Sequence, residues 1–401
     1  MKKRRRAGII RWAVVMLASL AGACGAEFSE EPHRYWERKP ADRFAALMES
    51  VEAGRARLDG TSDRALLDSL LRELEIDEST QLMVFSATSL QSGIVNPRNP
   101  RALYFNEDTY VGYIPGGRFE VASFDAETGM NFYISDRARV SGGAPDFTRS
   151  TRCMNCHADV QSRHLPGLVI SSVGVTWDGS TQETYRYEEI GHHVPLRERF
   201  GGWHLTGGHG IGETHANKVG NLIPGGFKAE PNLPGRYFRM ENYPRGTSDI
   251  LPHLVMEHVA GFTNRVIEVI YRHREKPDDV AAQGKAADAL ARYLLFAGEA
   301  ALPSGGIEGD ADFVRDFRKR GEGSAAAALR EFDLRKRLFR AGVSYLIDSA
   351  VYRAIPEPVR AGVEERLREA ADGKSRWNDL TLGDAGKKAL NAYFISAPAG
   401  R

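Results

Sequence analysis

The chain has 401 residues, 42% hydrophobic and 27% charged, which is an ordinary globular balance with enough apolar material for a sizeable core. Its formal net charge is +1, which argues against nucleic acid as a partner and against any strong overall field for acidic ligands. The length accommodates one large domain or two to three average ones.

The N-terminus, MKKRRRAGIIRWAVVMLASLAGACGAEF, reads as an export signal over residues 1–23. A basic stretch from Lys2 to Arg6, with Arg11, precedes an apolar run from Trp12 to Leu20. That run is too short to span a bilayer, for which about 20 residues are needed. Cleavage after Ala23 makes Cys24 the first mature residue, the position that receives lipid in bacterial lipoproteins. Such signals usually carry leucine three residues before the cysteine, whereas Ala21 stands there and Leu20 lies one earlier. Cleavage after Ala26 removes Cys24 altogether. The expectation is an exported, periplasmic protein, anchored to the membrane through Cys24 if that residue is kept.

After a charged, Pro-containing leader, Phe44, Leu47, Met48 and Val51 recur at helical spacing over 41–57. A second helix follows in TSDRALLDSLLRELEI, with Thr61 or Ser62 as N-cap and Leu66, Leu67, Leu70, Leu71 and Leu74 on one face. From Gln81 to Asp136 the segments are short, aromatic and β-branched, separated by Gly, Pro, Asn and Asp; they predict a small antiparallel sheet. A hairpin is expected over GLVISSVGVTWDGSTQETYRY, turning at Asp178-Gly179. Beyond residue 245 the pattern is mostly helical, beginning with TSDILPHLVMEHVAGFTNRVIEVIYRHRE. It continues through AADALARYLLFAGEA, the long SAAAALREFDLRKRLFRAGVSYLIDSAVYRAI, PVRAGVEERLREAAD and AGKKALNAYFI. The fold expected is α+β, with strands on both sides of residues 151–160 and a helical C-terminal half. Its organisation is a 41–240 α/β region with a 245–401 helical region packed on it, as no Pro/Gly/Ser linker divides them.

Residues 151–160, TRCMNCHADV, place two of the three cysteines three apart with a histidine directly after. A redox disulfide uses such a pair alone, beside a βαβ pattern. Zinc needs four ligands, usually from a second Cys/His pair, and no second cysteine pair exists. Covalent haem attachment needs Cys-x-x-Cys-His, which Cys153, Cys156 and His157 supply. The sulfurs form thioethers to the two vinyl groups, and the imidazole becomes the proximal ligand of the iron. With 3 cysteines and 11 histidines, the number of chance matches is on the order of 10⁻³. Arg149 and Arg152 flank the motif as candidate partners of haem propionates, or as solvated surface arginines. The layout is not that of a small cytochrome c, because a long α/β segment precedes the motif and no methionine lies between Met154 and Met240.

Seven histidines fall within residues 157–215, and residues 201–226, GGWHLTGGHGIGETHANKVGNLIPGG, hold nine glycines. That density signals tight turns or close backbone approach to something flat; beside a haem, a porphyrin face is expected. His209 and His215 are the leading candidates for the distal side of the iron, with Met240 and Met256 less favoured. His258 shares the apolar stripe of its helix with Leu251, Leu254, Val255 and Phe262, a pattern more typical of a satisfied core histidine.

From about residue 100 to 395 the chain resembles a largely uncharacterised family of exported bacterial proteins with one mid-chain c-type haem motif. The similarity is carried by YVGYIPGGRFEVASFDAETGMNFYIS, CMNCHADV, LPGLVISSV, RFGGWHLTGGHG, TSDILPHLVMEH and LREFDLRKRLFRAGVSYLIDSAVYRAIP. The resemblance implies haem binding and no known substrate. His209 falls on the family's signature histidine, His215 on the next and His258 on a Glu-His pair, which raises His258 as a weaker candidate ligand. His204 stands where the family often has an aromatic residue, and THANKVGN stretches the spacing to His215.

The function expected is an exported c-type cytochrome with one covalent haem c, passing electrons to a redox partner protein. The alternative is a peroxidase-like haem oxidoreductase acting on a small molecule, with an open or displaceable sixth iron position. Some 375 mature residues around one haem lean toward an enzyme. A sensor or scaffold role has no motif of its own.

Overall fold

The computed structural model describes residues 28–136, 143–186 and 189–396. The expected export signal, with Cys24, lies outside them. Strands β1 (Leu82–Val84), β2 (Arg101–Phe105), β3 (Thr109–Tyr113), β4 (Glu120–Asp125), β5 (Gly129–Ser135) and β6 (Phe147–Arg149) form one antiparallel sheet in chain order. Side chains alternate between its faces. Ala102, Tyr104, Val111, Tyr113, Val121 and Tyr133 meet helices α1 (Arg43–Glu52) and α2 (Asp63–Glu73) in one apolar cluster. Asp42 and Ser62 cap the two helices, each side chain accepting from the backbone three residues on. The opposite face carries Phe105, Tyr110, Phe124 and Phe132 into a second, larger cluster.

That second cluster is built around α4 (Ile250–Glu275). Asp249 caps it by accepting from Leu251 N at 2.9 Å, and Pro252 sits in the first turn, where its missing N–H costs nothing. Nineteen of its 26 residues are buried, so it is a central element and not a surface helix with one apolar stripe. Around it lie α5 (Val280–Leu294), α6 (Ala311–Lys319), α8 (Glu357–Ala371) and α9 (Asp384–Ser396), with one-turn helices α3 (Met154–His157) and α7 (Ala350–Arg353). The cluster draws residues from Phe28 to Leu390, so the sheet and the helical half share one core. Among the described residues no helix is long and apolar enough to cross a membrane.

The α+β reading holds, with the sheet preceding a helical C-terminal half. The expected hairpin is β7 (Val173–Val175) with β8 (Thr181–Thr184), and Gly179 takes φ +89° in its turn. The long helix expected over 324–355 does not form. Short 3₁₀ turns at Ala327–Arg330 and Tyr345–Asp348, a bridge between Phe332 and Phe339, and α7 replace it. The physical reason is backbone geometry: Leu334 and Gly342 have positive φ, which interrupts a right-handed helix at both places. The glycine-rich region contains an unforeseen hairpin, β9 (Lys218–Ile223) with β10 (Gly226–Pro231).

Candidate functional site

Strand β6 delivers the chain from the sheet edge directly into the Cys-x-x-Cys-His turn. Cys153 occupies the N-cap position of α3 and is half-buried; Cys156 is exposed; both are free thiols. Burial pushes the Cys153 thiol up, partly offset by its hydrogen bond with Ser150. Both cysteines and His157 line a cavity of about 540 Å³, within the usual range for sites that take small molecules or cofactors.

The imidazole of His157 is held by its backbone neighbourhood. Gly167 ties to it twice: its carbonyl accepts from Nδ1 at 3.0 Å, and its N–H donates to the His157 carbonyl at 2.9 Å. The Phe132 ring packs 4.2 Å from the imidazole, centroid to centroid. With Nδ1 committed as donor, Nε2 carries the lone pair and has no hydrogen-bond partner among the described residues. This is the arrangement by which a second partner fixes the tautomer of a metal-binding histidine. Burial pulls its pKa down to about 4, with the Gly167 bond acting the other way, so the ring is neutral near pH 7 and able to donate to a metal.

Gly167 cannot be replaced: a Cβ there would lie 2.7 Å from Asn264 Oδ1 and 2.8 Å from Ser162 Cβ. Asn264, buried on α4, is the clamp that sequence reasoning missed. Its Oδ1 accepts from Leu168 N at 2.8 Å, and its Nδ2 donates to the carbonyls of Leu168 at 2.9 Å and Gln161 at 3.0 Å. One side chain thus stitches the motif-bearing loop to the central helix.

Much of the cavity wall is apolar. The sheet contributes Leu103, Gly112, Ala122 and Ile134, the loop Ile170, and α4 contributes Met256 and Ala260. At Gly112 a Cβ would lie 3.3 Å from Glu120 Cβ, so any larger residue would crowd this wall. Four charged groups also line the space: Arg101, Glu120, Arg152 and Asp159. Arg101 pairs with Glu120 at 2.8 Å, yet its buried Nε has no partner. An unpaired guanidinium nitrogen in a cavity wall is costly unless an acceptor arrives. Two free thiols, a metal-ready imidazole, a largely apolar wall and an arginine short of an acceptor together fit a covalently attached haem with acidic side groups.

Arg149 has another role. It donates to the carbonyls of Arg38 and Tyr35 and sits 4.1 Å over the Tyr35 ring, pinning the N-terminal segment. The candidate distal histidines lie away from this cavity. His209 Nδ1 accepts from Ile211 N, and His215 stacks on Tyr185 at 3.5 Å; neither is among the cavity's lining residues. His258 is fully buried, with both nitrogens satisfied: Ser344 Oγ at 2.7 Å on Nε2 and His192 Nδ1 at 2.9 Å on Nδ1. His192 Nε2 reaches the Ala297 carbonyl at 3.3 Å. Since that carbonyl only accepts, the donors run from Ser344 through His258 and His192 to Ala297. His204 is fully buried between Phe85 and Phe238, in keeping with a position that suits an aromatic ring.

Several glycines of residues 201–226 serve close packing within the protein, while Gly212, Gly225 and Gly226 face open space. A Cβ on Gly201 would lie 2.6 Å from Val173 N, and one on Gly220 would lie 2.0 Å from the Lys228 carbonyl oxygen. Of that segment only Trp203 reaches the cavity. The thioether of Met256, which sequence reasoning ranked below the histidines, lines it together with His157. Among the described residues, no group of three or more His, Cys, Asp or Glu is arranged to hold a bare metal ion.

Compared with models of known families, with curated proteins and with solved structures, the chain matches none significantly.

Proposed function

We propose that the protein is an exported c-type cytochrome that carries one covalent haem in the 540 Å³ cavity and passes electrons. The observation that carries this reading is His157: an imidazole with Nδ1 locked on the Gly167 carbonyl and Nε2 free in the cavity that both motif cysteines line. In the proposal Cys153 and Cys156 form the thioether links and His157 the proximal bond. Arg101 and Arg152 receive the propionates. When bound, the haem supplies a one-electron couple at its iron.

Met256 favours electron transfer over the oxidoreductase alternative. Its side chain is buried and shares the cavity with His157, so it could hold the haem iron from this chain, which would limit access by small molecules and raise the potential. The residues of this chain would then bind and orient the group between the sheet and α4.

The test is the visible spectrum of ferric and ferrous protein with and without carbon monoxide. A six-coordinate low-spin signature that ignores carbon monoxide, converted to a carbon-monoxide-binding form in Met256→Ala, is expected. A high-spin wild type that binds carbon monoxide, unchanged by that substitution, would replace this reading by the oxidoreductase one.

A further inference from the structure

A second cavity, of about 320 Å³, opens between the C-terminal half of α4 and the start of α5, away from the cysteines. Its floor is apolar: Val269, Ala286, Leu290 and Val359. Its rim is cationic, with Arg163, Arg265, Arg272, Lys276 and Lys285 against only Glu268 and Asp279. A chain with net charge +1 has therefore gathered an excess of positive charge around one apolar hollow.

The carboxylates nearby are already committed. Glu268 pairs with Arg163, Glu275 with Arg272 at 3.1 Å, and Glu189 with His193. Asp279 caps α5 by accepting from Ala282 N at 2.9 Å. Arg265 is left without a carboxylate. It is largely buried, donates through one terminal nitrogen to the Gly261 carbonyl at 2.8 Å, and lies 4.4 Å from the Tyr293 ring centroid. Its Nε and other terminal nitrogen have no hydrogen-bond partner among the described residues. A mostly buried guanidinium is normally paired, because desolvating it without a counter-charge is costly. Among the described residues Lys276 and Lys285 on the rim make no ion pair either, and His273 Nδ1 is buried without a partner.

We propose that this cavity binds a small amphipathic carboxylate, with its head on the Arg265 guanidinium and its body on the apolar floor. A planar fork matches a carboxylate bidentately, and the floor has no polar group to recognise a sugar or a base. Inorganic phosphate would satisfy the arginine but leave the hollow unfilled. The proposal does not depend on the haem reading.

Titrating the full-length protein calorimetrically with octanoate, octanol and inorganic phosphate tests it. Saturable binding of octanoate, about tenfold or more tighter than that of octanol or phosphate, is expected from one charge-assisted contact plus apolar burial. Arg265→Met keeps the stem and should remove that preference. Should it misfold, the exposed Lys285→Glu should weaken octanoate severalfold, and Ala286→Phe should block it by filling the floor. No saturable binding of octanoate, or binding indifferent to Lys285→Glu and Ala286→Phe, would overturn the proposal.

Discussion

Two buried or half-buried histidines, His157 and His258, show how surroundings decide role. His157 sits on a one-turn helix with one nitrogen tied to a backbone carbonyl and the other free in a cavity. His258 sits mid-helix with both nitrogens bonded in a closed chain from Ser344 to Ala297. Burial lowers both, to about 4 for His157 and about 3 for His258, so both are neutral at pH 7. The difference is not charge but vacancy: one lone pair has a partner and the other awaits one.

The comparison can be broken most sharply at the free nitrogen. His157→Ala should abolish the low-spin visible spectrum while leaving the fold intact, because its ring carries few contacts beyond Phe132 and Gly167. His258→Ala should do the reverse. It strands Ser344 and His192 in the core and opens a cavity, costing about 2–4 kcal/mol by denaturant unfolding, with the haem spectrum unchanged. A spectrum lost in His258→Ala at full stability would undo the assignment of roles.

Asn264→Ala is the next largest effect. It removes three hydrogen bonds that join the loop to α4, at about 1–3 kcal/mol given that the backbone groups left behind are largely buried. Hydrogen exchange at Leu168 should accelerate in this variant; unchanged exchange would mean that the loop is held by other contacts.

A further effect is spread over pH. His204, His253 and His258 have folded-state values of about 4, 3 and 3, lowered chiefly by burial, against about 6.5 when unfolded. Between those limits the unfolded chain binds more protons, so their stabilisation is full above pH 6.5 and is lost as pH falls toward 4 and below. Each contributes about 2 kcal/mol of loss at pH 5. Unfolding midpoints should therefore drop from pH 7 to pH 5, and drop less in His258→Ala; parallel curves would contradict the buried neutral state of His258.

What was legible in the sequence was local. The N-cap at Ser62, the period of α2, the short aromatic and β-branched segments of β2 to β5, the Asp178-Gly179 turn and the spacing of Cys153, Cys156 and His157 each lie within one short window. What escaped depends on distant contacts. Residues 324–355 do not form one helix because Leu334 and Gly342 take positive φ, which apolar spacing alone does not reveal. Asn264 and Arg101 acquire meaning only when α4 and β2 are brought against the loop. His209 and His215 are near the motif in sequence, but the intervening chain packs them on Ile211 and Tyr185, whereas Met256, a hundred residues from the motif, lines the same cavity.

The most direct measurement is the intact mass of the protein matured in a host that attaches c-type haem, with the Cys153→Ala/Cys156→Ala double variant beside it. The account predicts a gain of one haem that survives denaturation in the wild type and is absent from the variant. A wild type with the bare polypeptide mass and no Soret absorption would contradict it.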